Sequence, residues 1–518
     1  MNRTKNVIHN FAWGILSKFS TSIFSFASRT VFIYLLGTNY LGINGLYSEI
    51  LAFLSLAELG FGASMVFLMY KPVAENDIEK ISQLLEFYKT SYRLIALVIL
   101  LLGLCIVPFL DNIVKEVEWI SINELRIYFL FFLFNTVVGY FVTYRYTYIN
   151  ALQKQYIVTN IDSIVTNISY ILQIATLFLF KSFLFYLLIN SFVLLCSRIV
   201  IVIFLNRKFP IFKKKSKQKL DKKTKSKIFK EVRGMSVHSF SNAAVYSTDN
   251  ILISSMISQG VNLVGLIANY TLIINSVTGF INILVNSFMS GIGNLIATTD
   301  NNKIQNSFNQ LYFIFFWIYG FSSIALWLLV PPFINLWIGS DKLIDDLAFI
   351  LIVVNYYLTG QSIAYYIFRI AKGNFYKDKW VALLQAVTNL IISVLCAKVL
   401  GLVGIYIGTI TSRLVVLILN PVITYRFIFN NSPLIYYKKL FRYFMYFIIA
   451  AIISKCCVSK ILTEITYIRL FFSSITIIIT VNLVFFLFTK KTKEFSEIQS
   501  KLSVIITQLL HSKKRLKM

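Results

Sequence analysis

Four cationic side chains, Lys18, Arg29, Arg198 and Arg413, stand inside segments that are otherwise apolar. An arginine at the middle of a bilayer helix costs roughly 2.5 to 3.5 kcal/mol on insertion scales, so it normally faces a cavity, a partner or an ion path. The chemistry open to such groups is the holding of an anion. Lys18 and Arg29 are eleven residues apart, which at about 100° per residue is three turns plus roughly 20°, so they share one helix face. Ser22 and Ser25 fill the same stripe. Arg198 lies within about eight residues, or 12 Å, of the end of its segment and is long enough to snorkel to the headgroups, which leaves anchoring as its alternative role. Glu49, Glu58, Asp162 and Asp249 are the acids in the same setting. Of these, Glu58 is read as a proton carrier or as the counter-charge to Arg29, with helix packing as the alternative.

An internal repeat ties these residues together. Leu41-Gly42 to Tyr47 matches Val264-Gly265 to Tyr270 at an offset of 223, and Val107-Pro108 matches Val330-Pro331 at the same offset. Val165-Thr166-Asn167 matches Val387-Thr388-Asn389 at 222, and Ser197-Arg198 matches Ser412-Arg413 at 215. Four matches in chain order at nearly constant spacing point to two copies of one design. A shift of 220 carries Lys18 to His238, Ser22 to Asn242 and Arg29 to Asp249. Two chemically unequal ribbons are therefore expected, with Arg29 and Asp249 at equivalent heights, either paired as a structural ion pair or free to serve a substrate.

The elements that must carry these residues follow from hydropathy. The chain is 57% hydrophobic and 14% charged, outside the range of water-soluble domains. Runs of the length needed to cross the hydrocarbon core recur fourteen times. Their limits are 10 to 36, 42 to 70, 91 to 110, 125 to 148, 157 to 180, 183 to 206, 233 to 257, 261 to 290, 308 to 336, 347 to 368, 380 to 399, 402 to 425, 441 to 459 and 467 to 489. The fold class expected is an all-α polytopic membrane protein, with two pseudo-symmetric six-helix bundles at 1-206 and 233-430 and two extra helices within 431-489. With both termini cytoplasmic, about 38 of the 50 lysines and arginines fall on the inner side and about 6 in external loops, as basic-residue placement requires. The net charge of +28 thus expresses topology and gives no reason to expect a nucleic-acid partner. The linker 207-232 is strongly basic and is expected to lie against anionic membrane lipids. The tail 490-518 places Phe495, Ile498, Leu502, Ile505, Ile506, Leu509 and Leu510 at helical spacing, the pattern of an interfacial amphipathic helix.

Several activities lack their residues. There is no GxxxxGK[ST] phosphate loop and no HExxH, and the five cysteines have no metal-ligand spacing. No cofactor or metal is expected. No expected external loop much exceeds fifteen residues, so the acidic or histidine site of a membrane polymerase or glycosyltransferase has nowhere to sit.

With Arg29 to Gly37, Leu41-Gly42 to Tyr47, Glu58-Leu59-Gly60-Phe61-Gly62, Tyr70-Lys71-Pro72 and Asp249 to Ile253 in view, the chain resembles the multidrug, oligosaccharidyl-lipid and polysaccharide exporter superfamily. Within it the chain resembles the Wzx-type polysaccharide repeat-unit flippases. The resemblance implies a MATE-like fold with a central cavity. It also implies alternating access and export of an undecaprenyl-diphosphate-linked oligosaccharide across the bacterial plasma membrane for capsule, exopolysaccharide or O-antigen synthesis. A polysaccharide polymerase and co-polymerase would be its partners. On this reading the substrate-binding residues are Arg29 and Lys18, with Arg198, Arg413, Asn242 and His238, and the gating or ion-coupling residues are Asp249 and Glu58. Rival cargoes are lipid II, a teichoic-acid precursor or, with cation coupling, a drug. Two negative charges moving outward down a 100 mV potential release roughly 4.6 kcal/mol, so the membrane potential favours export of a diphosphate.

Overall fold

Local backbone chemistry decides where these apolar segments turn. In the computed structural model, Gly37, Lys181, Gln259 and Gly401 adopt left-handed conformations with φ of 85°, 47°, 52° and 56°. Gly37 and Gln259 are 222 residues apart, and Lys181 and Gly401 are 220 apart. The backbone thus repeats its turns at the spacing at which the sequence repeats its motifs. Residues 3–501 and 503 are described, apart from 59–60, 115–118, 153, 215, 217–219, 299–300 and 373–378.

The described residues are helical and hold no strand. The first helices in chain order are α1 (Arg3–Leu36), α2 (Thr38–Leu54), α3 (Phe61–Ala74), α4 (Ile78–Ile106), α5 (Leu110–Ile113), α6 (Ile122–Ala151), α7 (Gln155–Phe180) and α8 (Phe183–Lys208). There follow α9 (Lys222–Tyr246), α10 (Thr248–Met256), α11 (Gly260–Thr298), α12 (Asn301–Ile338), α13 (Asp346–Lys372), α14 (Lys379–Thr424), α15 (Leu434–Ile461) and α16 (Tyr467–Thr489). An Asp77 side chain caps α4 and a Ser121–Glu124 capping box starts α6, each satisfying amide donors at a helix start that would otherwise be bare.

Among the described residues, eleven helical segments are long and apolar enough to cross a membrane, against the fourteen apolar runs of the sequence. The difference has physical causes. The runs 380 to 399 and 402 to 425 form one 51-residue helical stretch, Lys379–Phe429, with a non-helical residue at Gly401. The run 42 to 70 is divided into α2 and α3 by a 3₁₀ turn at Ser55–Glu58. The run 233 to 257 is interrupted at Ser247, between α9 and α10. This is a multi-pass membrane protein.

The helices gather into two compact units. One comprises 1–287 with 382–412, the other 288–381 with 413–518. In the first, α1 packs along α7, α4 on α6, α7 on α8, and α2 on α10. In the second, α12 packs on α13 and α16, and α15 on α16. Its core is aromatic: Tyr443 stacks on Phe316 with centroids 4.3 Å apart, and Tyr357 on Phe447 at 4.0 Å. The tail begins in this unit. Residues 493–501 are helical, and Phe495 lies on Phe313, Trp317 and Phe486. The tail residues Leu502, Ile505, Ile506, Leu509 and Leu510 lie outside the described residues.

Candidate functional site

Serine and asparagine supply the seam on which α1 is held. Ser17 donates to Asn160 Oδ1 at 3.2 Å, Ser163 donates to the Ser17 carbonyl at 3.3 Å, and Asn167 donates to Ser20 Oγ at 2.6 Å, all between α1 and α7. With α1 so fixed, its two cations meet different surroundings. Lys18 lies over α11 at Gly279, where an added Cβ would stand 2.1 Å from Lys18 Cε. Arg29 sits near Tyr170 of α7 and Tyr186 of α8. Tyr186 is itself held by Ser28 and by Phe32, whose ring lies 5.0 Å away edge-on. Arg29 Nη1 is buried and has no hydrogen-bond partner. A buried guanidinium nitrogen without an acceptor is costly, and an anion brought beside it would remove that cost.

Asp249 is not that acceptor. Its Oδ2 accepts a hydrogen bond from Thr409 Oγ1 at 3.0 Å, and Thr409 in turn takes one from Asn389 Nδ2 at 3.3 Å. Gly401 folds the segment 382–412 back on itself, which brings Asn389 opposite Thr409; Ser393 donates to the Ile405 carbonyl at 3.1 Å across the same seam. Asp249 Oδ1 and Asn389 Oδ1 are buried without a donor. Glu49 of α2, bonded to Ser247, acts electrostatically on Asp249. The site is therefore acidic and rich in oxygen acceptors, with no cation beside it among the described residues. Of the two relations expected for Arg29 and Asp249, the ion pair is not formed.

Glu58 likewise is not the counter-charge of Arg29. Placed by the 3₁₀ turn after α2, it takes hydrogen bonds from Tyr92 at 3.2 Å and from Tyr140 and the Gly62 amide. Arg198 is committed elsewhere as well, with Nη1 3.4 Å from Asp162 Oδ1 and 3.2 Å from Tyr146 Oη, while Tyr146 donates to the same carboxylate at 3.0 Å. Arg413 is buried. The side chains of His238 and Asn242 lie outside the described residues.

Sequence reasoning missed a contact that the repeat itself marks. The start of α2 crosses the start of α11, where Thr38 Oγ1 donates to Asn262 Oδ1 at 2.8 Å. A Cβ on Gly42 would fall 1.8 Å from the Val261 carbonyl oxygen, and one on Gly265 would fall 2.1 Å from the Thr38 carbonyl oxygen. Gly42 and Gly265 differ by 223, as do Thr38 and Val261, so each glycine rests on the repeat equivalent of the other's support. Both matched glycines stood in the sequence; what was not read was that they touch each other.

Solved structures share this fold. A MurJ lipid II flippase in an inward closed conformation matches with a TM-score of 0.63 at 14% identity, covering 92% of this chain and 97% of that one. The chain has the fold of the MATE and MurJ transporters. A mutant of the Vibrio cholerae MATE transporter VcmN matches with a TM-score of 0.58 at 15% identity over 80% of this chain and 94% of that one. An inward-facing multidrug resistance MATE family transporter of the MOP superfamily gives 0.56 at 15% identity over 76% and 92%. No family model and no curated protein matches the sequence.

Proposed function

We propose that this protein is a transporter of the MOP type that flips an undecaprenyl-diphosphate-linked oligosaccharide from the inner to the outer leaflet of the bacterial plasma membrane, with both termini cytoplasmic. The observation that carries the reading is Arg29: a buried cation on the first helix whose Nη1 lacks an acceptor and which leaves Asp249 unpaired. An anionic headgroup is the ligand such a group lacks. Lys18, on the same helix, is the second phosphate contact. Asp249 with Asn389 and Thr409 is the coupling position, where a monovalent cation or a proton would neutralise the carboxylate. Its acidic character keeps a cation-coupled exchange open beside the membrane potential. A pump for cationic drugs would place its acids where this chain places Lys18 and Arg29, which favours the lipid-linked anion over the drug. A polysaccharide polymerase and co-polymerase would receive the product.

The deciding experiment uses full-length protein in proteoliposomes carrying a fluorescent lipid-diphosphate-linked saccharide, with appearance in the opposite leaflet read by an impermeant quencher. Arg29→Ala should lower flipping at least tenfold at unchanged reconstituted protein, and Arg29→Lys should restore part of it. Full flipping by Arg29→Ala would refute the assignment. Lipid II as cargo in place of the oligosaccharide separates the two flippase readings directly.

A further inference from the structure

In the first unit, a second cationic site is built between α4, α6 and α8, and its lining includes none of Lys18, Arg29 and Asp249. A cleft of about 180 Å³ is lined by Lys89 and Arg93 of α4 and by Tyr140, Tyr144 and Arg145 of α6, with Phe141 and Val202 completing its walls. Three of these residues are cationic and none is acidic. Glu58, the carboxylate behind the cleft, is already held by Tyr92 and Tyr140.

Arg145 is 8% exposed and fixed from behind. Its Nε and Nη2 share Asn206 Oδ1 at 3.4 Å, Nη1 reaches the Phe141 carbonyl at 3.5 Å, and its guanidinium lies 4.5 Å from the Tyr144 ring centroid. All of these partners are neutral and the hydrogen bonds are long, so the charge is positioned without being compensated. Arg93 acts electrostatically on both Tyr144 and Arg145, and it forms no hydrogen bond or ion pair with another described residue. Two arginines on neighbouring helices repel each other unless an anion lies between them.

Depth identifies the anion. Lys89 and Arg93 flank residue 91, where the third apolar run begins. Arg145 is three residues before the end of the fourth run, and Val202 four before the end of the sixth. All three ends carry the cytoplasmic side of the basic-residue pattern, so the cleft sits where lipid phosphates meet hydrocarbon. Beyond Arg93 toward the bilayer centre, Leu94, Leu97 and Leu101 are exposed at 62%, 50% and 54%, an apolar track for an acyl chain.

We infer that the Lys89–Arg93–Arg145 cleft is a binding site for the phosphate headgroup of a resident anionic phospholipid of the inner leaflet. The site needs only the membrane and stands whatever the cargo. The test uses the purified full chain in a neutral detergent, with thermal stability followed during titration with phosphatidylglycerol or with phosphatidylcholine of the same acyl chains. Phosphatidylglycerol should raise Tm with saturation, and phosphatidylcholine should not. R93Q, at the exposed member of the cleft, should keep the lipid-free Tm and weaken the phosphatidylglycerol response about fivefold, as one surface cation near a headgroup predicts. Equal responses to the two lipids, or an undiminished response in R93Q, overturns the site. A response to undecaprenyl diphosphate with none to phosphatidylglycerol overturns the phospholipid in favour of a waiting station for cargo.

Discussion

Gly42 and Gly265 offer the sharpest perturbation, because each opposes backbone and no side-chain rotation can relieve a clash. In Gly42→Ala the new methyl would lie 1.8 Å from the Val261 carbonyl oxygen, whereas ordinary contact begins at 3.4 Å. The α2 and α11 backbones must therefore part by about 1.6 Å at this crossing. The Thr38–Asn262 hydrogen bond, 2.8 Å long, cannot survive a separation of that size. Overpacking costs roughly 1 to 3 kcal/mol and the lost hydrogen bond about 1 kcal/mol. If the crossing exists in only one of two transport states, a cost of roughly 2 to 4 kcal/mol moves the equilibrium between them by about 30-fold to several hundredfold.

The assay is accessibility of a cysteine at position 41 or 261, both buried at the crossing, in a chain with its five native cysteines replaced, to an impermeant maleimide added outside intact cells. Labelling should rise strongly in Gly42→Ala and Gly265→Ala at unchanged membrane level. Gly45→Ala is the graded control, since its Cβ would meet only the Val264 Cγ1 atom at 3.1 Å. Gly139→Ala, with nothing within 4 Å, should do nothing. The two clasp substitutions press on one interface, so once the first has parted the helices the second costs less, and the double variant should fall short of additivity. Unchanged labelling in both single variants, or an effect of Gly45→Ala as large as theirs, refutes the clasp.

Two further outcomes follow from other contacts. Gly279→Val should displace Lys18, since even a methyl at 279 meets Cε at 2.1 Å; transport should fall severalfold with membrane level unchanged, and Gly279→Ala should fall less because the lysine end can swing aside. On the cytoplasmic side, Asp221 takes a hydrogen bond from Lys80 Nζ at 2.7 Å and from the Thr224 amide. The Lys80 ammonium and these bonds hold its carboxyl below the usual range, so the stabilisation is complete above about pH 4 and is lost as pH falls further and the carboxylate is protonated. Protease nicking of segment 207–233 should rise on acidification through that range in the native chain but show no such step in Lys80→Ala.

The sequence carried the number of apolar runs and their repeat, because both are written in residue type at fixed spacing: hydropathy over about twenty residues, and matched motifs some 220 apart. What it carried less well was pairing. Arg29 and Asp249 stand 220 apart, at matching places in the repeat, and that spacing alone leaves both an ion pair and separate roles open. A repeat places two residues at one height without bringing their side chains together; which neighbour each takes depends on what lies between. The fold-back at Gly401 sets Thr409 and Asn389 beside Asp249, and α7 and α8 set Tyr170 and Tyr186 beside Arg29. The same reasoning explains why Arg198, read as a snorkelling or substrate-touching cation, turns to Asp162. The two residues are 36 apart, on different helices, and nothing in hydropathy records that contact. Where two repeat-related segments touch, each residue meets the equivalent of its own neighbour, and Gly42 with Gly265 satisfies that condition. The repeat therefore marks the clasp, and it departs from symmetry at Arg29 and Asp249, which meet unlike neighbours: Arg29 Nη1 has no acceptor, while Asp249 takes its hydrogen bond from Thr409.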